Sequence, residues 1–184
     1  MLPPAMRLRR AALAGTCLLA VIAIAAAGCG PDAVESEGKE GEPVRVADLQ
    51  YNIQITRFLN ADDNEDAEYL LGQPPAPSGK AYLGVFLVVE NLTGDLHASA
   101  DSYTVSDTLD NQYEPIDSES PYALEIGADV PPNEQLPLPD TTPYAGFNKG
   151  SLLIFEVDEA VSENRPLRLE IEDAANSGEV LLDI

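Results

Sequence analysis

Residues 49–56 alternate without a break: Leu49, Tyr51, Ile53 and Ile55 are apolar, while Gln50, Asn52, Gln54 and Thr56 are polar. Successive side chains of a strand point to opposite faces, so this stretch predicts a strand with one buried and one wet face, closed by Phe58 and Leu59. Residues 81–90 (AYLGVFLVVE) are apolar nearly throughout and rich in β-branched and aromatic side chains. That run predicts a central strand covered on both faces. A chain holding both must bury a sheet against a second layer.

The remaining segments follow the same pattern. Residues 101–105 and 112–116 flank a turn in which Asp110 and Asn111 tolerate left-handed backbone angles, which predicts a hairpin. Residues 122–126, 151–157, 167–171 and 180–184 read as further strands. Asn91-Leu92-Thr93-Gly94 and residues 130–134 read as turns. Pro137, Pro139 and Pro143 make residues 136–144 an irregular or edge segment. Between the first two strands, Asp62 and Glu65 have capping-box spacing and Gly72 follows Leu71, predicting a short helix over residues 63–71. Residues 73–79 then form a stiff, proline-rich loop. Seven to nine short strands with one inserted helix predict a mainly β, antiparallel sandwich.

The N-terminus sets location. Arg7, Arg9 and Arg10 precede an uncharged run over residues 11–27 that is dominated by alanine, the order of a secretory signal. Met6 can serve as the start codon as well as Met1. Ala26-Ala27-Gly28-Cys29 resembles a bacterial lipobox, with Ala26 where that family prefers Leu. The resemblance implies cleavage after residue 28 and a diacylglyceryl group on Cys29, two acyl chains being enough for stable attachment. A plain cleaved signal peptide and an uncleaved span are the alternatives. The expected layout is thus a lipoprotein signal over residues 1–28, a lipidated Cys29 with a disordered acidic tether over 29–43, and one folded domain over 44–184. The expected location is the extracytoplasmic face of the cell membrane. Cys17 leaves with the signal and Cys29 carries lipid, so no thiol is left for a disulfide, a zinc site or nucleophilic catalysis.

The chain has 32 acidic and 10 basic residues, a net charge of −22, and three of the basic ones lie in the leader. A surface this acidic repels nucleic acid, which is excluded as a partner.

Residues 80–91, ending in Glu90-Asn91, the hairpin over 103–113 and the Gly150–Val157 strand together resemble a family of bacterial secreted and lipoprotein domains of unknown function. That family includes a secreted mycobacterial immunogenic protein. Asp110-Asn111 stands where the family commonly has Asp-Gly, and Asp158 where it often has Pro. The resemblance spans residues 44–184 and implies an immunoglobulin-like sandwich, with the predicted helix as an insertion. It carries over no catalytic or binding residue.

No catalytic, cofactor or metal residue stands out, and no cofactor is implied. Asp62-x-Asn64-x-Asp66, with Asp63, Glu65 and Glu68 nearby, imitates the start of a calcium loop, but Ala67 stands where the sharp turn needs Gly. Those acids read first as an ordinary helix start. Asp101, Asp107, Asp110 and Asp117 form a looser set near one hairpin, read first as plain turn chemistry, with calcium binding as the alternative. His97, the one histidine, reads as a loop residue. The seven tyrosines read as sheet-margin residues with wet hydroxyls. The resulting expectation is a non-enzymatic, lipid-anchored binding module for an unknown protein or glycan. A weakly calcium-responsive domain is the alternative, and a small hydrolase using paired carboxylates comes third.

Overall fold

The structure is a computed structural model and describes residues 37–174 and 176–184. The predicted leader, Cys29 and the tether up to residue 36 lie outside the described residues.

The strands are β1 (Glu37–Lys39), β2 (Pro43–Val46), β3 (Leu49–Leu59), β4 (Lys80–Asn91), β5 (His97–Ala98), β6 (Ser102–Ser106), β7 (Gln112–Tyr113), β8 (Asp129–Val130), β9 (Gln135–Leu136), β10 (Ser151–Asp158), β11 (Leu167–Asp173) and β12 (Asn176–Leu182). One sheet runs β1-β12-β11-β6-β7. A second runs β10-β4-β3-β2, with β9 pairing β4 at Val89 and Glu90 beyond the end of β10, and β5 and β8 form a small two-stranded sheet. The core lies between the sheets. Val44, Tyr51, Ile53, Val85 and Leu87 come from one side, and Tyr103, Val105, Leu169, Ile171 and Val180 from the other, all buried in a single cluster. Each such side chain contributes about 1.5–3 kcal/mol on burial. The chain is therefore a mainly β sandwich, as its patterning predicts.

Both organising strands form where predicted. β4 lies between β3 and β10, and residues 82–87 are buried on both faces. In β3, a bulge between Ile53 and Ile55 leaves Gln54 as the extra residue. A one-residue insertion reverses the facing of everything beyond it. Ile55, expected in the core, thus turns to the outer face, and Thr56, expected in water, is buried.

The folded part begins earlier than residue 44. β1 pairs in parallel with residues 179–181, and the Glu40 carboxylate accepts the Thr56 and Asp183 N–H groups at 3.1 Å each. An acidic residue read as tether thus clips β3 to the end of β12.

The helix expected over residues 63–71 is replaced by successive turns. Short polar side chains compete with the helical ladder: Asn60 Oδ1 accepts the Asp62 N–H, and Asp63 Oδ1 accepts the Glu65 N–H. Asp66 turns inward, and its carboxylate accepts bonds from the Arg57 guanidinium and the Asn60 N–H. Tyr69 and Leu70 then pack against Leu59, Tyr82, Phe86, Tyr122, Leu152 and Ile154 in a second apolar cluster on the outer face of the β4 sheet. The one α-helix among the described residues, α1 (Thr142–Ala145), lies in the segment expected to be irregular, with Pro143 in its first turn, where the missing N–H costs nothing. Residues 122–126 form a single bridge, Ala123 to Leu152, rather than a strand. Turns closing on Ser120 and Glu125 leave room for no more.

Candidate functional site

The outer face of the β4 sheet has two halves. The second apolar cluster and the 60–79 segment cover the half beyond the bulge. Before the bulge the face is open, and strand alternation sets Gln50 and Asn52 of β3 beside Val88 and Glu90 of β4 there. Gln135 of β9 extends the floor past Glu90, its pairing partner.

The segment between β9 and β10 forms the wall. Pro137, Tyr144, Lys149 and Gly150 complete a groove of about 410 Å³ whose floor also takes in Gln54. That volume lies within the range of small-ligand sites, about 300–1,000 Å³. The wall is anchored at several points. Thr141 Oγ1 donates to the Leu138 carbonyl at 2.6 Å, Pro143 is buried, and Asn148 Nδ2 donates to the Tyr69 hydroxyl at 3.3 Å. Gly150 has φ +118°, and a Cβ there would lie 2.8 Å from the Leu87 carbonyl oxygen, so only glycine lets the wall meet β4 this closely. At the tip of the segment Phe147 is 94% exposed.

The lining is dominated by primary amides: Gln50, Asn52, Gln54 and Gln135. Each supplies two N–H donors and a carbonyl acceptor. Glu90 and Lys149 are the charged lining residues, and they are of opposite sign. Asn52 Oδ1 is buried and has no hydrogen-bond partner among the described residues. Gln54 Nε2 reaches instead to the Asn52 backbone carbonyl, at 3.4 Å.

Two of the acidic residues singled out in the sequence, Asp66 and Asp107, are occupied elsewhere. Asp66 is spent on Arg57 and Asn60. Asp107 takes N–H bonds from Leu109 and Asn111 and side-chain bonds from Asn111 and Asn164. Burial acts to raise the Asp107 pKa, but these bonds outweigh it and hold the carboxyl below its usual 3.8. Among the described residues, no three His, Cys, Asp or Glu side chains converge as a metal would require.

His97 belongs to β5, where its Nε2 lies 2.8 Å from Thr93 Oγ1. Six of the seven tyrosines are buried rather than marginal, and Tyr144, in the groove wall, is 45% exposed. At the opposite edge, Asp158 accepts from Lys80 Nζ at 2.8 Å and from the Tyr113 hydroxyl at 3.2 Å. The lysine bond holds Asp158 below the usual carboxylate range and pushes Lys80 up. This ties β4, β7 and β10 together at the surface.

The fold and groove define a β-sandwich protein with one open, polar sheet face. No protein-family model matches the chain, and no curated protein matches it in sequence. Among solved structures it is similar to a secreted protein of Mycobacterium tuberculosis, MPT63, at 12% identity with a TM-score of 0.52, covering 83% of this chain and 99% of that one. It is also similar to an uncharacterized β-sandwich protein of Clostridium difficile 630, at 14% identity and a TM-score of 0.48, covering 81% and 95%. A provisionally named lipoprotein of Bacillus subtilis, YcdA, is similar at 14% identity and a TM-score of 0.47, covering 79% of this chain and 39% of that one. The mycobacterial likeness supports the sandwich fold.

Proposed function

We propose that this chain is a non-enzymatic binding module of immunoglobulin-like architecture, held by lipid on Cys29 at the extracytoplasmic face of the cell membrane. The amide-lined groove is its ligand site. The observation that carries the reading is the groove itself: hydrogen-bonding side chains gathered on an otherwise structural sheet and walled by an anchored segment. Its charged lining residues are one acid and one base, whereas hydrolysis of a glycosidic bond by paired carboxylates needs two acids. The leader and the lipobox-like Cys29 support anchoring, and MPT63, which shares the fold, is described as secreted.

Two measurements test this. Fatty-acid labelling of the expressed full chain is expected to mark the wild type and not Cys29→Ala. Retention on fractionated envelope polymers and proteins is expected for the full chain and is reduced by Gln50→Ala with Gln54→Ala. Label absent from the wild type overturns the anchor. Retention indifferent to the groove variants overturns the site.

A further inference from the structure

The backbone beneath the groove limits what the groove can read. Gln50 lies between Arg45 of β2 and Glu90 of β4, and Asn52 between Pro43 and Val88. Glu90 is in turn paired with Gln135. β3 is therefore flanked on both sides along the groove floor. An extended peptide adding itself to a sheet needs a free strand edge for its main-chain bonds, and along β3 the floor offers none; its edge is the two-residue β9, paired only with β4. Recognition falls to side chains.

Those side chains are four amides, Gln50, Asn52, Gln54 and Gln135. Amides donate and accept, as hydroxyl groups do, so one amide satisfies a hydroxyl in either sense. Tyr144 stands at the wall with its ring half-exposed, a flat apolar surface for the C–H face of a sugar ring. Charge completes the selection. Glu90 and Lys149 oppose each other in sign within the lining, while the chain as a whole carries −22 and repels polyanions.

We propose that the groove binds a neutral saccharide, through the amides of Gln50, Asn52, Gln54 and Gln135 and the ring of Tyr144. This rests on the reading of the groove as the ligand site.

The test is calorimetric titration of the full chain, solubilised in a detergent without a sugar headgroup. The probes are neutral gluco-, manno- and galacto-oligosaccharides, a uronic-acid oligosaccharide, and uncharged extended peptides. Saturable binding of at least one neutral series is expected, with the uronic-acid probe weaker. Gln50→Ala and Tyr144→Ala are each expected to weaken that binding roughly tenfold, with melting temperatures unchanged because both side chains lie at the surface. Peptide binding that the same variants abolish, with no saccharide bound, overturns the saccharide and leaves the groove as the site. Saccharide binding that neither variant changes overturns the groove itself, and so does the absence of binding by every probe.

Discussion

Arg57 Nη1 lies 3.2 Å from Asp66 Oδ2, and the other guanidinium nitrogen bonds the second carboxylate oxygen, so a residue of β3 holds the 60–79 segment by a two-pronged ion pair. Asp66 is buried while Arg57 keeps contact with water. Asp66→Asn keeps an acceptor for the Asn60 N–H but loses the charge. The arginine stays partly solvated, which limits the loss to about 1–3 kcal/mol. Urea unfolding of the variant checks this. Arg57→Ala combined with it in a double-mutant cycle is expected to show strong coupling.

Gly150 governs the groove wall. Gly150→Ala would set a Cβ against the Leu87 backbone and adopt a positive φ that alanine disfavours. The expected cost is about 2 kcal/mol or more. The second readout is ligand affinity, which should fall further than stability loss alone explains, because Tyr144 and Lys149 move with the wall.

Two core tyrosines should respond oppositely to loss of the hydroxyl. The Tyr51 hydroxyl accepts the buried Ala100 N–H at 2.7 Å, so Tyr51→Phe strands that donor and costs about 1–3 kcal/mol. Tyr103 Oη faces Tyr51 and Ser99 without meeting hydrogen-bond geometry with either. Tyr103→Phe is therefore expected to be roughly neutral or stabilising. Thermal melts of the two variants, side by side, decide it.

Those phenols also set an alkaline limit. Burial pushes Tyr51 up to about 12 and Tyr103 higher still. A phenol raised in the folded state adds stability that is full below the unfolded value of about 10 and is lost as pH rises through the folded value. Unfolding free energy should thus decline from about pH 10 upward. Tyr51→Phe, lacking that phenol, should show a shallower decline.

Asp107 acts at the other end of the scale. Its lowered pKa contributes stability present above the unfolded value of about 3.9 and lost as pH falls through the folded value. Comparing the wild type with Asp107→Asn across this range should show the variant less stable near neutrality and the two converging in acid.

The sequence made β3 and β4 legible because their apolar patterns are long and unambiguous. It hid the bulge at Gln54, since an inserted residue leaves no trace in composition, and so strict alternation puts Ile55 and Thr56 on the wrong faces. The expected helix failed at Asp66, whose side chain found a partner in Arg57 that no local pattern announces. Half of the groove was visible as the wet face bearing Gln50 and Asn52. The rest was not, because Gln135, Tyr144 and Lys149 arrive from 83 or more positions away behind prolines that signalled only irregularity.

The groove is the proposed landing place of the ligand. Side-chain amide NMR of the isotope-labelled full chain, titrated with the tightest-binding neutral oligosaccharide, reads this directly. The amide resonances of Gln50, Asn52, Gln54 and Gln135 are expected to shift together and saturate at one affinity, while those of Asn111 and Asn164 beside Asp107 stay fixed. Saturating shifts confined to residues outside the groove would contradict it.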